Sequence, residues 1–337
     1  MTLATLHEPA QDQPAMADWT TTILFDLMRK RAWRLVTACV LIAVVIGPWA
    51  ALMAHVFEEN PPYPLASGLA LIWIFAAFNS LWILGIPRSA PLLRTWAWRQ
   101  ARARVVRAGR PSFTSLIECD GDLVLRVNRL SAAHLALIAR TGRVWVVGCD
   151  DKGWAAVRVD GSHVVFPARR AKVSREVPVK AEGDVTALIA ARMRFGATAQ
   201  IRLLIGVVAW AAVMVALDVR LTYLGGILGA SVGMAAMRRS AVVDRKLPAL
   251  VADAGWCELP VSMNPWFWRE DGTSTAEGVV ALPDGRMLAV RMPNATVDLL
   301  GTIYERGTVW FSAVPESGKT VAVGFPGYPL LAVATIR

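Results

Sequence analysis

Two blocks of apolar residues, 35–86 and 201–237, stand out from an otherwise mixed sequence. Each block holds two runs that contain no Asp, Glu, Lys or Arg. The four runs are Leu35–Phe57, Leu65–Ile86, Leu203–Leu217 and Leu221–Met237. Because a helix needs roughly 20 mainly apolar residues to cross a bilayer, the pattern predicts four transmembrane helices arranged as two hairpins. The second pair of runs is short and nearly contiguous, so a re-entrant hairpin is the alternative there.

The regions that follow the two hairpins show a β-rich pattern. In the first region, a predicted strand over Thr114–Cys119 is followed by Asp120-Gly121 and a second apolar run, which is a strong hairpin signal. A predicted helix over Leu130–Arg140 and three further short strands complete the order ββαβββ. We therefore expect one small α+β domain within residues 87–200 and another within residues 238–337.

The two β-rich regions resemble each other, which indicates an internal duplication. Asp120-Gly121 matches Asp284-Gly285, and beyond this turn Trp145 matches Trp310 at a constant spacing (310 − 145 = 165). The predicted fold class is therefore an α+β integral membrane protein. In it, each transmembrane hairpin precedes one copy of a small cytoplasmic ββαβββ domain, and residues 1–34 form a cytoplasmic N-terminal segment.

The distribution of charge predicts the orientation. The chain has 36 Lys and Arg against 26 Asp and Glu. Residues 87–200 hold 20 basic and 9 acidic side chains, whereas residues 238–337 hold 10 of each. Since basic residues beside a span favour its cytoplasmic side, we expect both termini and the middle domain in the cytoplasm, with the chain as a multi-pass protein of a bacterial-type inner membrane.

An arginine-rich segment follows the first apolar block. We interpret Pro91–Arg107 as a helix that lies in the membrane interface. Its arginines are the predicted contacts with anionic lipid. They are Arg94, Arg99, Arg102, Arg104 and Arg107. Because this positive charge lies beside the predicted spans, membrane lipids are the expected partner and nucleic acid is not.

Three glycines, Gly225, Gly229 and Gly233, recur every fourth residue in the last apolar run. Small residues at this spacing let a neighbouring helix approach closely. They predict a helix-packing seam, within the chain or between copies of it. The alternative is that glycine is simply common in membrane helices.

The sequence shows no constellation typical of catalysis. The segment Ala313–Thr320 resembles a phosphate-binding loop, but a predicted strand follows where that motif requires a helix, so we interpret it as a hairpin turn. Four scattered cysteines and four histidines lack metal-ligand spacing. The aromatic stretch Trp256–Asp271 fits either a packed loop or a binding surface. No catalytic, cofactor-binding or metal-binding residues are predicted.

These features favour a non-enzymatic membrane scaffold or adaptor that presents two cytoplasmic domains, for instance within a larger secretion or conjugation assembly. Its expected partners are membrane lipids and other membrane or cytoplasmic proteins, including further copies of itself. The alternative is a small transporter or channel built from paired repeats.

Overall fold

A computed structural model gives the structure of the chain. It describes Leu6 and residues 8–56, 85–108, 114–172, 183–216, 239–252 and 254–337. Most side chains of 38–56 and 199–216, and those of 239–241, fall outside this description. The chain divides into two compact units, one formed mainly by residues 8–180 and the other mainly by residues 181–337.

The first half contains a long helix, a short helix and six strands with a third helix between them. In chain order these are α1 (Trp19–Val56), α2 (Ile86–Thr95), β1 (Arg99–Arg107), β2 (Thr114–Cys119), β3 (Leu123–Asn128), α3 (Ala132–Thr141), β4 (Arg143–Gly148), β5 (Trp154–Val159) and β6 (Val165–Arg170). A one-turn 3-10 helix, Ala15–Ala17, precedes α1.

The second half repeats this order. Its elements are α4 (Val185–Ala216), a 3-10 helix (Arg239–Lys246), α5 (Leu247–Ala252), β7 (Cys257–Met263), β8 (Thr273–Ala281), β9 (Met287–Thr296), α6 (Val297–Arg306), β10 (Thr308–Phe311), β11 (Thr320–Phe325) and β12 (Leu330–Ile336).

Each set of six strands closes into an antiparallel barrel. The strand order is β1-β2-β3-β6-β5-β4 in the first barrel and β7-β8-β9-β12-β11-β10 in the second, so the two topologies are the same. The α+β class is confirmed, and the two similar barrels support the predicted duplication. Because each barrel is closed, every one of its strands has a neighbour on both sides and neither sheet presents an open edge.

Local sequence accounts for several element boundaries. Gly121 and Gly285 both adopt positive φ in the turns that join β2 to β3 and β8 to β9, as the Asp-Gly pairs predict. Helix α6 begins where the Thr296 hydroxyl accepts a hydrogen bond from the Leu299 N–H (3.2 Å) and ends at Gly307, whose φ is 65°. These are ordinary capping signals at the two ends of a helix.

The predicted ββαβββ order is incomplete, because each domain begins with an additional strand. In the first domain this strand is β1, so the interpretation of Pro91–Arg107 as one interfacial helix is wrong: α2 ends at Thr95 and the arginine-rich part is extended. Ala101 and Ala103 point into the barrel while Arg102 and Arg104 point outward. This alternation has the period of a strand rather than that of a helix.

The predicted membrane crossings receive no support from the described residues. Among them, no helix has both the length and the apolar content that a crossing requires. The runs Leu65–Ile86 and Leu221–Met237 lie almost wholly outside the described ranges, and so do Gly225, Gly229 and Gly233.

The beginning of α1 packs on the first barrel. Phe25 and Ala32 of α1 join residues of α2, Trp98 just before β1 and Trp145 of β4 in one buried apolar cluster. The segment before α1 is also attached, because the Ala15 N–H donates to the Trp96 carbonyl (3.0 Å). These contacts bring the start of α1 to the loop between β5 and β6.

Candidate functional site

The five arginines predicted to meet lipid are exposed. Arg94 lies in the last turn of α2, and Arg99, Arg102, Arg104 and Arg107 lie along β1. Their contact with lipid is not tested by the structure and stays a prediction.

Two of these arginines are already neutralised by neighbouring acids. An Nη1 of Arg99 lies 2.7 Å from an Oδ of Asp120. The Nε and Nη2 of Arg104 both donate to one Oε of Glu118, at 3.0 and 2.7 Å. Exposed pairs of this kind add little stability, but they reduce the positive charge that β1 presents to an anion.

A second group of basic residues, which the sequence interpretation missed, lies on the outer face of the same barrel. Arg126 of β3 is directly opposite Arg169 of β6, and Arg169 is directly opposite Trp154 of β5. The Arg169 guanidinium lies 5.3 Å from the centre of the Trp154 ring, and that of Arg88 on α2 lies 4.8 Å from it. We call these four residues the arginine–tryptophan cluster.

The signal for this cluster is only partly present in the sequence. In Leu123–Asn128 the alternation of apolar and polar residues places Arg126 outward. The pairing of β3 with β6 joins residues more than 40 positions apart, and no local pattern encodes it.

The second barrel has the same row of positions with different side chains. Arg291 of β9 is opposite Glu277 of β8 on one side and opposite Thr335 of β12 on the other, and Thr335 is opposite Thr320 of β11. Arg291 is ion-paired with Glu277 at 3.4 Å. Because this barrel closes with threonines where the first has Arg169 and Trp154, the fold itself does not require the cluster.

The start of α1 forms a buried ionic site with the first barrel. Asp18 caps the helix: one Oδ accepts the N–H groups of Thr20 (2.9 Å) and Thr21 (3.3 Å). The other Oδ accepts the Thr21 hydroxyl (2.7 Å) and an Nη1 of Arg158 (3.0 Å). The side chain of Arg158, on the face of β5 that α1 covers, is fully buried (0% exposed).

His163, in the loop between β5 and β6, completes this site. Its Nε2 lies 3.9 Å from the Asp18 carboxylate, and its backbone carbonyl accepts the Thr21 hydroxyl at 3.4 Å. Burial would raise the pKa of Asp18, but the Coulombic effect of the nearby His163, the Thr21 hydrogen bonds and the Arg158 guanidinium together hold that pKa below its usual 3.8. The carboxylate therefore stays charged and fixes the start of α1 on the barrel.

The second half keeps the cap and lacks the arginine. Asp184 accepts the N–H groups of Thr186 (3.2 Å) and Ala187 (3.1 Å) at the start of α4, and the Thr186 hydroxyl accepts the Gly327 N–H (2.7 Å) in the loop between β11 and β12. Gly324 takes the ladder position of Arg158, since it is opposite Trp310 as Arg158 is opposite Trp145. The duplication thus extends from the barrels to the starts of the long helices.

A buried carboxyl group lies in the second half. One Oδ of Asp244, on the 3-10 helix before α5, accepts the side-chain amide of Asn294 on β9 (2.6 Å), and the other Oδ is buried without a hydrogen-bond partner among the described residues. Burial raises the pKa of Asp244 to about 7, against the opposing effect of the Asn294 hydrogen bond.

The remaining sequence candidates are placed as follows. The segment Ala313–Thr320 forms the turn between β10 and β11, which agrees with the hairpin interpretation. In the aromatic stretch, Phe267 is 87% exposed and Trp268 is 46% exposed, so packing does not account for these two residues. Cys119, Cys149 and Cys257 are free thiols.

Comparison of the chain with models of protein families, with curated proteins and with solved structures finds no match. The interpretation of its function therefore depends on the chain's own residues.

Proposed function

We propose that the chain is a non-enzymatic scaffold of a bacterial-type inner membrane, whose two barrels present different surfaces on the cytoplasmic side. The observation that carries this proposal is the divergence of two barrels with the same strand order. Among the described residues, Arg126 and Arg169 of the first barrel have no ion-paired acid, whereas the second barrel has a threonine and an ion-paired arginine at the matching positions. A duplicated fold with diverged faces brings two different partners together in one chain.

The sequence supplies the argument for the membrane. The two charge-free runs of the first block have the length and composition of spans, and the basic excess is adjacent to them. In this arrangement the first barrel faces the anionic membrane surface. The second barrel belongs to residues 238–337, which hold 10 basic and 10 acidic side chains, and it exposes Phe267 and Trp268. It faces a protein partner in a larger assembly or in another copy of the chain. Aromatic side chains are enriched at such interfaces.

Fractionation and crosslinking of the full-length chain test the proposal. We expect the chain in the membrane fraction, resistant to carbonate extraction, and crosslinked in mild detergent to a partner or to a second copy. Recovery as an uncrosslinked monomer, or in the fraction without membranes, would contradict the proposal.

A pair of variants locates the protein contact. The double variant Phe267→Ser with Trp268→Ser is expected to remove the crosslink. The matched control, Met287→Ser with Val314→Ser, changes two other exposed apolar side chains of the same barrel and is expected to keep it. Equal loss in both variants would show that general surface polarity, rather than the aromatic pair, determines the contact.

A further inference from the structure

We propose that the arginine–tryptophan cluster binds the phosphate groups of anionic lipid headgroups. This inference rests on the proposed membrane location and names the part of the first barrel that meets the bilayer. The main lipid contacts inferred here are Arg88, Arg126 and Arg169, rather than the arginines of β1, two of which are neutralised.

The first argument is the closeness of like charges. Directly opposite residues in an antiparallel pair have Cα atoms about 4.5–5.5 Å apart, and like charges at such positions are destabilising. Arg126 and Arg169 occupy such positions. Among the described residues, no carboxylate lies within ion-pair distance of either arginine or of Arg88. Asp150, four residues before Trp154, accepts the Trp154 N–H (2.7 Å). An anion placed between the arginines would remove the repulsion.

The second argument is the orientation that Trp154 imposes. A guanidinium near the ring of a tryptophan is attracted by the ring electrons, and two guanidiniums lie about 5 Å from this one ring. Planar guanidinium groups held in place lose less side-chain freedom on binding a phosphate, and each can donate two parallel hydrogen bonds to it.

The third argument is the position of the cluster along the chain. Helix α2, which carries Arg88, begins at Ile86, the last residue of the charge-free run Leu65–Ile86. Gly85 lies so close to β5 and β6 that a Cβ there would be 2.9 Å from the Pro167 Cβ and 3.4 Å from the Trp154 ring. The end of the apolar run is thus packed against the cluster. Because the cluster lies beside the end of a predicted span, we expect its anions to be the phosphates of membrane lipids rather than a soluble polyanion.

Binding of short-chain lipids to the full-length chain in a nonionic detergent tests this inference. The probes are dioctanoyl phosphatidylglycerol and the zwitterionic dioctanoyl phosphatidylcholine. We expect phosphatidylglycerol to bind more tightly, with an affinity that falls as salt is added. The variant Arg126→Thr with Arg169→Thr introduces a residue type that the second barrel uses in this row, and it should weaken phosphatidylglycerol binding by about 30-fold.

The matched control is Arg99→Thr with Arg104→Thr. It removes the same charge from the same barrel but from arginines that are already ion-paired, and it should retain most of the affinity. Thermal unfolding of both variants identifies any loss of folding. Equal weakening in both, or equal binding of the two lipids by the unchanged chain, would overturn the inference. Equally tight binding of inorganic phosphate would overturn the assignment to lipid.

The result of the lipid-binding experiment can be told apart from the result of the fractionation experiment that tests the proposed function. Absence of the chain from the membrane fraction contradicts the scaffold at the membrane. Loss of lipid selectivity in a chain that does fractionate with membranes contradicts the cluster alone.

Discussion

Replacement of Asp18 by alanine removes two interactions from the start of α1. The first is the cap made by its carboxylate with the N–H groups of Thr20 and Thr21. Loss of such a cap costs about 1 kcal/mol. The second is the contact with Arg158, whose side chain is fully buried. Removing one partner of a buried pair costs about 3–5 kcal/mol, because the other charge stays buried. The sum is about 4–6 kcal/mol.

Two further variants separate these contributions. Asp18→Asn keeps an oxygen for the cap and removes the charge, so it should cost about 1 kcal/mol less than the alanine variant. Adding Arg158→Met to Asp18→Asn removes the stranded guanidinium and should restore a large part of the loss, since a well-packed apolar replacement of a buried pair is often neutral.

Hydrogen exchange of the full-length chain, followed by mass spectrometry, measures the effect locally. Peptides that cover β4 to β6 should exchange roughly a thousandfold faster in the Asp18→Ala variant, while those of β10 to β12 provide an internal reference. A change of less than about tenfold in the first barrel, or an equal change in both barrels, would refute the assignment of Arg158 and Asp18 as a stabilising pair.

The pH dependence gives an independent check of the same site. The pKa of Asp18 is lower in the folded chain than its ordinary value of 3.8. Its contribution to stability is therefore complete above 3.8 and is lost as the pH falls through the folded pKa. The acid-induced loss of protection in β4 to β6 should be smaller in Asp18→Asn than in the unchanged chain.

Three further outcomes follow from the second half, each measured by hydrogen exchange of its barrel. Asp184→Ala should cost only about 1 kcal/mol, because this cap has no buried arginine behind it; a cost as large as that of Asp18→Ala would contradict this. Gly324→Ala should destabilise β11 and β12 by about 1–3 kcal/mol, since a Cβ there would collide with the Leu330 carbonyl oxygen; unchanged protection would show that the loop moves freely. The pKa of Asp244 is raised to about 7 in the folded chain. The free energy of unfolding should therefore decrease as the pH rises from about 4 to about 7, by up to about 1.4 kcal/mol per pH unit, and then level off. Asp244→Asn should remove this slope, and a slope that persists would assign it to another group.

Much of the β-sheet was predictable because its hairpins are local. The Asp-Gly turns and the apolar alternation around them predict β2, β3, β8 and β9, and Thr114–Cys119 matches the observed strand. Strand β1 was missed because its arginines suggested a membrane interface, although Ala101 and Ala103 alternate with them. The pairing of β1 with β4 and of β3 with β6 closes the barrel over long separations, and no turn signal specifies it.

The buried ionic site could not be predicted from the sequence, for a related reason. Arg158 lies in the apolar run Trp154–Val159, where the period of two assigns it to a face but does not show that this face is enclosed. Its partner Asp18 is 140 residues away along the chain. A cap at residue 18 can be inferred from the Asp-x-Thr pattern, whereas the charge that it meets depends on the tertiary fold.

The difference between Arg158 and Gly324 also bears on how faithfully a duplicated chain assembles itself. Both long helices begin with Asp-x-Thr, so the capping contacts alone do not make either helix specific for one of the two barrels. Arg158 requires a carboxylate and meets the Thr21 hydroxyl (3.4 Å), where α4 has Ala187. If α1 packed on the second barrel and α4 on the first, Asp18 would face a barrel without a guanidinium at this position. Arg158 would then have one hydroxyl partner fewer. The buried arginine therefore acts as a discriminator between the two halves, because it disfavours the misassembled chain as well as stabilising the correct one.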